Sequence, residues 1–150
     1  MITLYKWMLQ LFGWNVWVAK QPEGLQASAA QFQKQFNTIG VSAAAIVLIL
    51  LVLIGVALYY WWSNGSSKIF KYRHRIHWWL IWLFSSSVIV SAVTPITISF
   101  LLRDFAFKYN DALVAVSICN FLYAIILFIV LSIFASKCAS KQTNASCTPF

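Results

Sequence analysis

Three stretches of the chain carry no Lys, Arg, Asp, Glu or His: VSAAAIVLILLVLIGVALYYWW at 41–62, WWLIWLFSSSVIVSAVTPITISFLL at 78–102, and ALVAVSICNFLYAIILFIVLSIFAS at 112–136. Each exceeds the ~20 helical residues needed to cross a hydrocarbon core. In hydrocarbon every backbone polar group must be satisfied internally, which leaves helices or closed barrels. A barrel needs many alternating segments of about ten residues, and the chain shows no such series. The expected fold is an all-α integral membrane protein with three transmembrane helices, preceded by two amphipathic interfacial helices. Composition agrees, with 61% hydrophobic and 9% charged residues, against roughly 25% charged in a soluble domain. Three regions follow: 1–38, interfacial or partner-facing; 39–136, the membrane domain; and 137–150, a polar tail.

The N-terminal region has a different periodicity. Leu4, Trp7, Leu11, Trp14 and Val18 recur at spacings of three and four, while Lys6, Gln10 and Gly13 fall on another face. This predicts an amphipathic helix in the interface plane, where Trp7, Trp14 and Trp17 keep their indole N–H groups wet. A fourth span over residues 1–18 is the less favoured alternative, because Lys6, Gln10 and Asn15 must then enter the bilayer or snorkel. No basic segment precedes the apolar residues, so a cleaved signal peptide is not expected. Pro22 and Glu23 suit the start of a second helix. Leu25, Ala29, Phe32 and Phe36 line one of its faces, Gln26, Gln33 and Lys34 lie elsewhere, and it is expected to end near Gly40.

Eleven Lys and Arg against three acids, Glu23, Asp104 and Asp111, give a net charge of +8. The basic residues sit beside apolar spans, which points to anionic lipid headgroups and not to nucleic acid. Lys68, Lys71, Arg73, His74, Arg75 and His77 form a headgroup-binding strip that also anchors topology. Tyr59, Tyr60, Trp61 and Trp62 bracket it on one side, Trp78 and Trp79 on the other, as an interfacial aromatic belt. By the positive-inside rule, loop 63–77 and the C-terminal tail are expected in the cytoplasm, in a plasma or bacterial inner membrane. Asn64-Gly65-Ser66 and Asn144-Ala145-Ser146 fit the glycosylation pattern, lie on that same side and are read as coincidental. Asp104, Lys108 and Asp111 have the spacing for weak exposed pairs.

Candidate chemistry is sparse. His74 and His77 supply two imidazoles where a metal site needs at least three protein ligands, so no metal is expected. Cys119 reads as a small buried apolar residue. Cys138 is a juxtamembrane position of the kind that is palmitoylated, whereas Cys147-Thr148-Pro149-Phe150 is a poor prenylation signal. The more informative feature is polar residues within the spans. Ser87, Ser91, Pro95 and Ser99 recur every fourth residue, flanked by Thr94, and Ser117, Asn120 and Ala124 share a face of the third span. Such residues form a close helix-packing seam or line a water path in an oligomer. Asn120 is the costliest of them to leave facing lipid, and Pro95 is expected to kink its helix.

No carboxylate pair, nucleophile with its base, phosphate loop or metal cluster emerges, so neither catalysis nor a cofactor is expected. The expected function is a non-catalytic membrane subunit that assembles into, or anchors, a larger membrane complex by helix packing. Its partners are lipids and other membrane subunits or further copies of itself. The alternative is a small self-oligomerising pore or holin-like permeabiliser.

Overall fold

The computed structural model describes residues 2–65, 75–105, 107 and 109–139. Among them the fold is helical, with no strands. It contains α1 (Ile2–Leu11), α2 (Gln26–Gln35), α3 (Val41–Gly65), α4 (Arg75–Leu101) and α5 (Asn110–Ala139). Three helical stretches are long and apolar enough to cross a membrane: Glu23–Trp61, His77–Leu101 and Asn110–Ala135. Helices α3, α4 and α5 each pack on the other two, and α1 packs on α5.

The first helix is short. It ends at Leu11, and Gly13 follows with φ of 74°. That left-handed conformation is the usual way a helix stops, and glycine adopts it without a Cβ penalty. The Gly13 N–H closes on Gln10 O at 3.0 Å, and two 3₁₀ turns, Trp14–Val16 and Val18–Lys20, carry the chain onward. Ten residues cover only about 15 Å, so α1 does not supply the fourth span. The face it turns to the bundle is set by other residues than the predicted apolar stripe. Tyr5 and Leu9 are buried, whereas Trp7 and Leu11 are 54% and 62% exposed. Helix α1 packs on α5: the Tyr5 and Tyr123 rings are tilted with centroids 5.6 Å apart, and further on Trp17 meets Phe107, so the N-terminal chain runs antiparallel to the chain that leads through α5.

The expected break near Gly40 is absent, because α2 continues into α3 through a π-helical segment, Phe36–Gly40. Glu23–Trp61 is thereby one helix of 39 residues. A π turn releases main-chain carbonyls from ordinary pairing. Thr38 Oγ1 donates to two of them, Lys34 O at 2.9 Å and Gln35 O at 3.2 Å. The extra residue keeps one continuous face inward across the junction: Ala29, Phe32 and Phe36 before it, Val41, Ala44 and Leu48 after it. Leu25, the fourth member of the predicted face, is 48% exposed.

The glutamines of this region fasten the connector. Gln33 Nε2 donates to Trp14 O, Gln21 Nε2 to Trp17 O and Gln26 Nε2 to Gln21 O. Phe32 is the hub of an aromatic cluster with Trp14, Trp17, Phe36, Phe105, Phe107 and Tyr109, at centroid separations of 5.0–6.4 Å. Ring pairs in such tilted and edge-on geometries contribute about 0.5–1.5 kcal/mol beyond burial. The cluster ties the connector and α2 to the α4–α5 link. Helix α4 runs unbroken through Pro95.

Candidate functional site

Small residues bring the three long helices together. Ala44 and Gly55 on α3, Ser86 and Ser87 on α4, and Ala112, Ala115, Ala124 and Ser132 on α5 are all buried. Small side chains permit the close backbone approach that drives helix association in lipid. The approach is tightest at Gly55, where an added Cβ would stand 2.5 Å from Ser86 Oγ and 3.3 Å from Ser86 Cβ. Ser87 turns its hydroxyl to its own helix, donating to Leu83 O at 2.8 Å.

At the centre of the seam stands Asn120, fully buried and ten residues beyond Asn110, the first residue of α5. At 1.5 Å per residue this is about 15 Å along the helix. Its Oδ1 accepts from the Tyr5 hydroxyl of α1. Its Nδ2 donates to Ala44 O of α3 at 3.1 Å and to Thr94 Oγ1 of α4 at 2.6 Å. The Thr94 hydroxyl in turn donates a hydrogen bond to Val90 O at 2.7 Å. One amide thus binds three other helices and uses both its donors and its acceptor. Burial of Tyr5 raises its phenol pKa above the ordinary value, with lesser contributions from Cys119 and Tyr123. The hydroxyl is therefore held protonated as a donor.

A second polar node lies further along the bundle. Tyr60 OH of α3 donates to Ser132 O at 2.8 Å, and Trp79 Nε1 of α4 donates to Ser132 Oγ at 3.2 Å. The expected aromatic belt accordingly divides in two. Tyr59, Tyr60 and Trp79 are buried between helices, as is Trp14, and Trp17 is half-buried. Trp7, Trp61 and Trp78 face outward, with Trp61 76% exposed.

The other candidates fall as follows. Thr94, Ser87 and Asn120 lie in the seam, whereas Ser91, Pro95, Ser99 and Ser117 are half-buried at its edges. The buried line of α4 runs through Leu83, Ser87, Val90, Thr94 and Ile98, so the four-residue repeat on Ser87 drifts off it. A helix turning once in 3.6 residues rotates away from any strict period of four. Cys119 is buried beside Asn120 in sequence, and Ala124 is buried. In the basic strip, His77 is exposed. Lys68, Lys71, Arg73 and His74 lie outside the described residues, as do Lys108, Lys141, Asn144 and Cys147, and the side chains of Trp62, Asn64, Arg75, Lys137 and Cys138 likewise. Asp104 stands 3.8 Å from Arg103, both well exposed, a pair that contributes little.

Four residues of the seam and its two nodes escape the periodicity argument: Tyr5, Ala44, Gly55 and Ser132. Asn120 in an apolar run signals that a donor and acceptors must exist. Nothing in linear sequence says which helix brings them. Among the described residues, no buried side-chain nitrogen or oxygen lacks a hydrogen-bond partner. No protein-family model matches the chain, and no curated protein or solved structure is similar to it.

Proposed function

We propose that the chain is a non-catalytic membrane subunit whose helices serve as an anchoring and assembly scaffold. The observation that carries this reading is the closure of the Asn120 node. Every polar side chain of that node has its partner within the bundle, and no buried side-chain nitrogen or oxygen among the described residues is left over. Transport and catalysis in a membrane both call for ionisable or free polar groups within the spans. Here the polar interior is spent on holding helices together. The same closure argues against the pore reading, in which Asn120 and its serine neighbours would face water.

The outer surfaces suit assembly in lipid. Ile46, Leu50, Leu53 and Ile54 on α3, Phe84, Val88, Ile96 and Phe100 on α4, and Leu122, Ile126 and Phe134 on α5 are exposed. With net charge +8, the basic connector of residues 63–77 and the tail take the cytoplasmic side and contact anionic headgroups. The aromatic cluster and connector take the opposite side, where a partner subunit can dock. Gentle detergent extraction at native expression, followed by native mass spectrometry, tests the reading. A complex containing other membrane proteins is expected. A lone monomer refutes assembly, and ion or dye leakage from liposomes holding the purified chain restores the pore.

A further inference from the structure

Between α1, the connector and the π-helical segment lies a cleft of about 130 Å3, lined by Lys6, Leu9, Gln10, Trp14, Asn15 and Asn37. Trp14 is buried, and its indole, which can only donate, gives Nε1–H to Asn37 Oδ1 at 3.0 Å. This bond orients the Asn37 amide: the oxygen is committed to Trp14, and both Nδ2 hydrogens remain for another acceptor. Lys6, Gln10, Asn15 and Asn37 are all exposed. No carboxylate lines the cleft, and the ion pair seen among the described residues, Arg103 with Asp104, lies outside it. An ammonium and three amide groups with no acid among them make a site for an anion, which accepts charge-assisted hydrogen bonds.

The position narrows the anion. Asn37 stands four residues, about 6 Å, before Val41, where the uncharged run of α3 begins. On the other wall, α1 turns the exposed apolar side chains of Trp7 and Leu11 outward. A donor-lined cleft between outward apolar groups and the start of a span lies at the level of headgroup phosphates.

We propose that this cleft binds the phosphate of an anionic phospholipid, held by the Lys6 ammonium and the Asn37 amide, with Gln10 and Asn15 at its rim. The proposal rests on the chain spanning a membrane and is independent of its role as a subunit. It concerns the membrane face opposite the basic connector, and different residues.

The test uses the full chain reconstituted in phosphatidylcholine vesicles containing a minor fraction of spin-labelled phosphatidylglycerol. Flotation first establishes insertion; failure to float refutes the membrane reading itself, a result distinct from failure of the site. Asn37→Asp keeps an oxygen for Trp14 and replaces the donor nitrogen with a second, anionic oxygen. Preference for phosphatidylglycerol is expected to fall about tenfold in Asn37→Asp and several-fold in Lys6→Gln, as for loss of charge-assisted bonds. Lys34→Gln, an exposed cation outside the cleft, is expected to change nothing. Should Asn37→Asp not insert, Lys6→Gln decides alone. Unchanged selectivity in Lys6→Gln, or an equal loss in Lys34→Gln, overturns the site. Displacement of the lipid by millimolar inorganic phosphate overturns the lipid assignment in favour of a soluble anion.

Discussion

Replacing Asn120 with leucine removes the amide and roughly keeps the volume, so the energetic consequence can be followed partner by partner. Ala44 O lies mid-helix and keeps its own main-chain bond. Thr94 still donates to Val90 O. Tyr5 alone is stranded, because its hydroxyl donates to Asn120 Oδ1 and its side chain is 0% exposed. A buried hydroxyl without a partner costs about 1–3 kcal/mol. The two lost Nδ2 bonds contribute about 0.6–2 kcal/mol each in a membrane setting. Apolar gain from the leucine offsets part of this, and a net loss of about 3 kcal/mol is expected. Tyr5→Phe should cost about 1–2 kcal/mol, since it leaves Asn120 Oδ1 without its donor. In the double variant neither group of that pair remains to be stranded. Its cost should fall short of the sum by about 1–2 kcal/mol. Equilibrium unfolding in mixed detergent micelles, followed by circular dichroism on all four forms, measures the cycle. An Asn120→Leu cost under about 0.5 kcal/mol, or strict additivity, refutes the claim that this node binds α1 to the bundle.

Other predictions follow from the same contacts. Gly55→Ala drives a methyl against Ser86 and should cost about 1–3 kcal/mol by overpacking; adding Ser86→Ala should recover part of it, and no recovery in unfolding midpoints argues against that close approach. Ser132→Ala removes the Trp79 bond but leaves the main-chain carbonyl that Tyr60 uses, so a loss of about 1 kcal/mol is expected, with the unfolding transition still cooperative. Because burial raises the Tyr5 phenol, folding favours its protonated form. Its contribution is complete below the unfolded value near 10 and declines as pH climbs from there toward the folded value. Alkaline titration of stability should therefore be steeper in the wild type than in Tyr5→Phe, and parallel curves contradict the assignment.

The apolar runs make the three long helices legible from residues alone, since an uncharged stretch in lipid has no option but to pair its own backbone. The same reasoning marks Asn120 as an inward group, for hydrocarbon offers an amide no partner. The end of α1 is less legible. Gly13 interrupts an apolar pattern that continues to Val18, and periodicity does not reveal that Gly13 takes a positive φ. The π-helical junction is hidden for a similar reason: Phe36 and Gly40 fit an ordinary four-residue spacing, and only packing on both sides calls for the added residue.

What the sequence by itself determined is the number of helices long and apolar enough to cross a membrane, and the need for a polar contact at Asn120. These follow from transfer free energies, which depend on residue type and not on neighbours. Tertiary structure alone decided that Tyr5, Thr94 and Ala44 meet that need, and that Tyr60 and Trp79 turn inward to Ser132. It also decided that α1 packs on α5. A Tyr or Trp near the end of a span can satisfy its polar group at a wet interface or against an acceptor on the next helix. The choice between the two belongs to the rotation of each helix about its axis. That rotation is set by where small residues such as Gly55 and Ala124 let backbones approach, and no single segment encodes it.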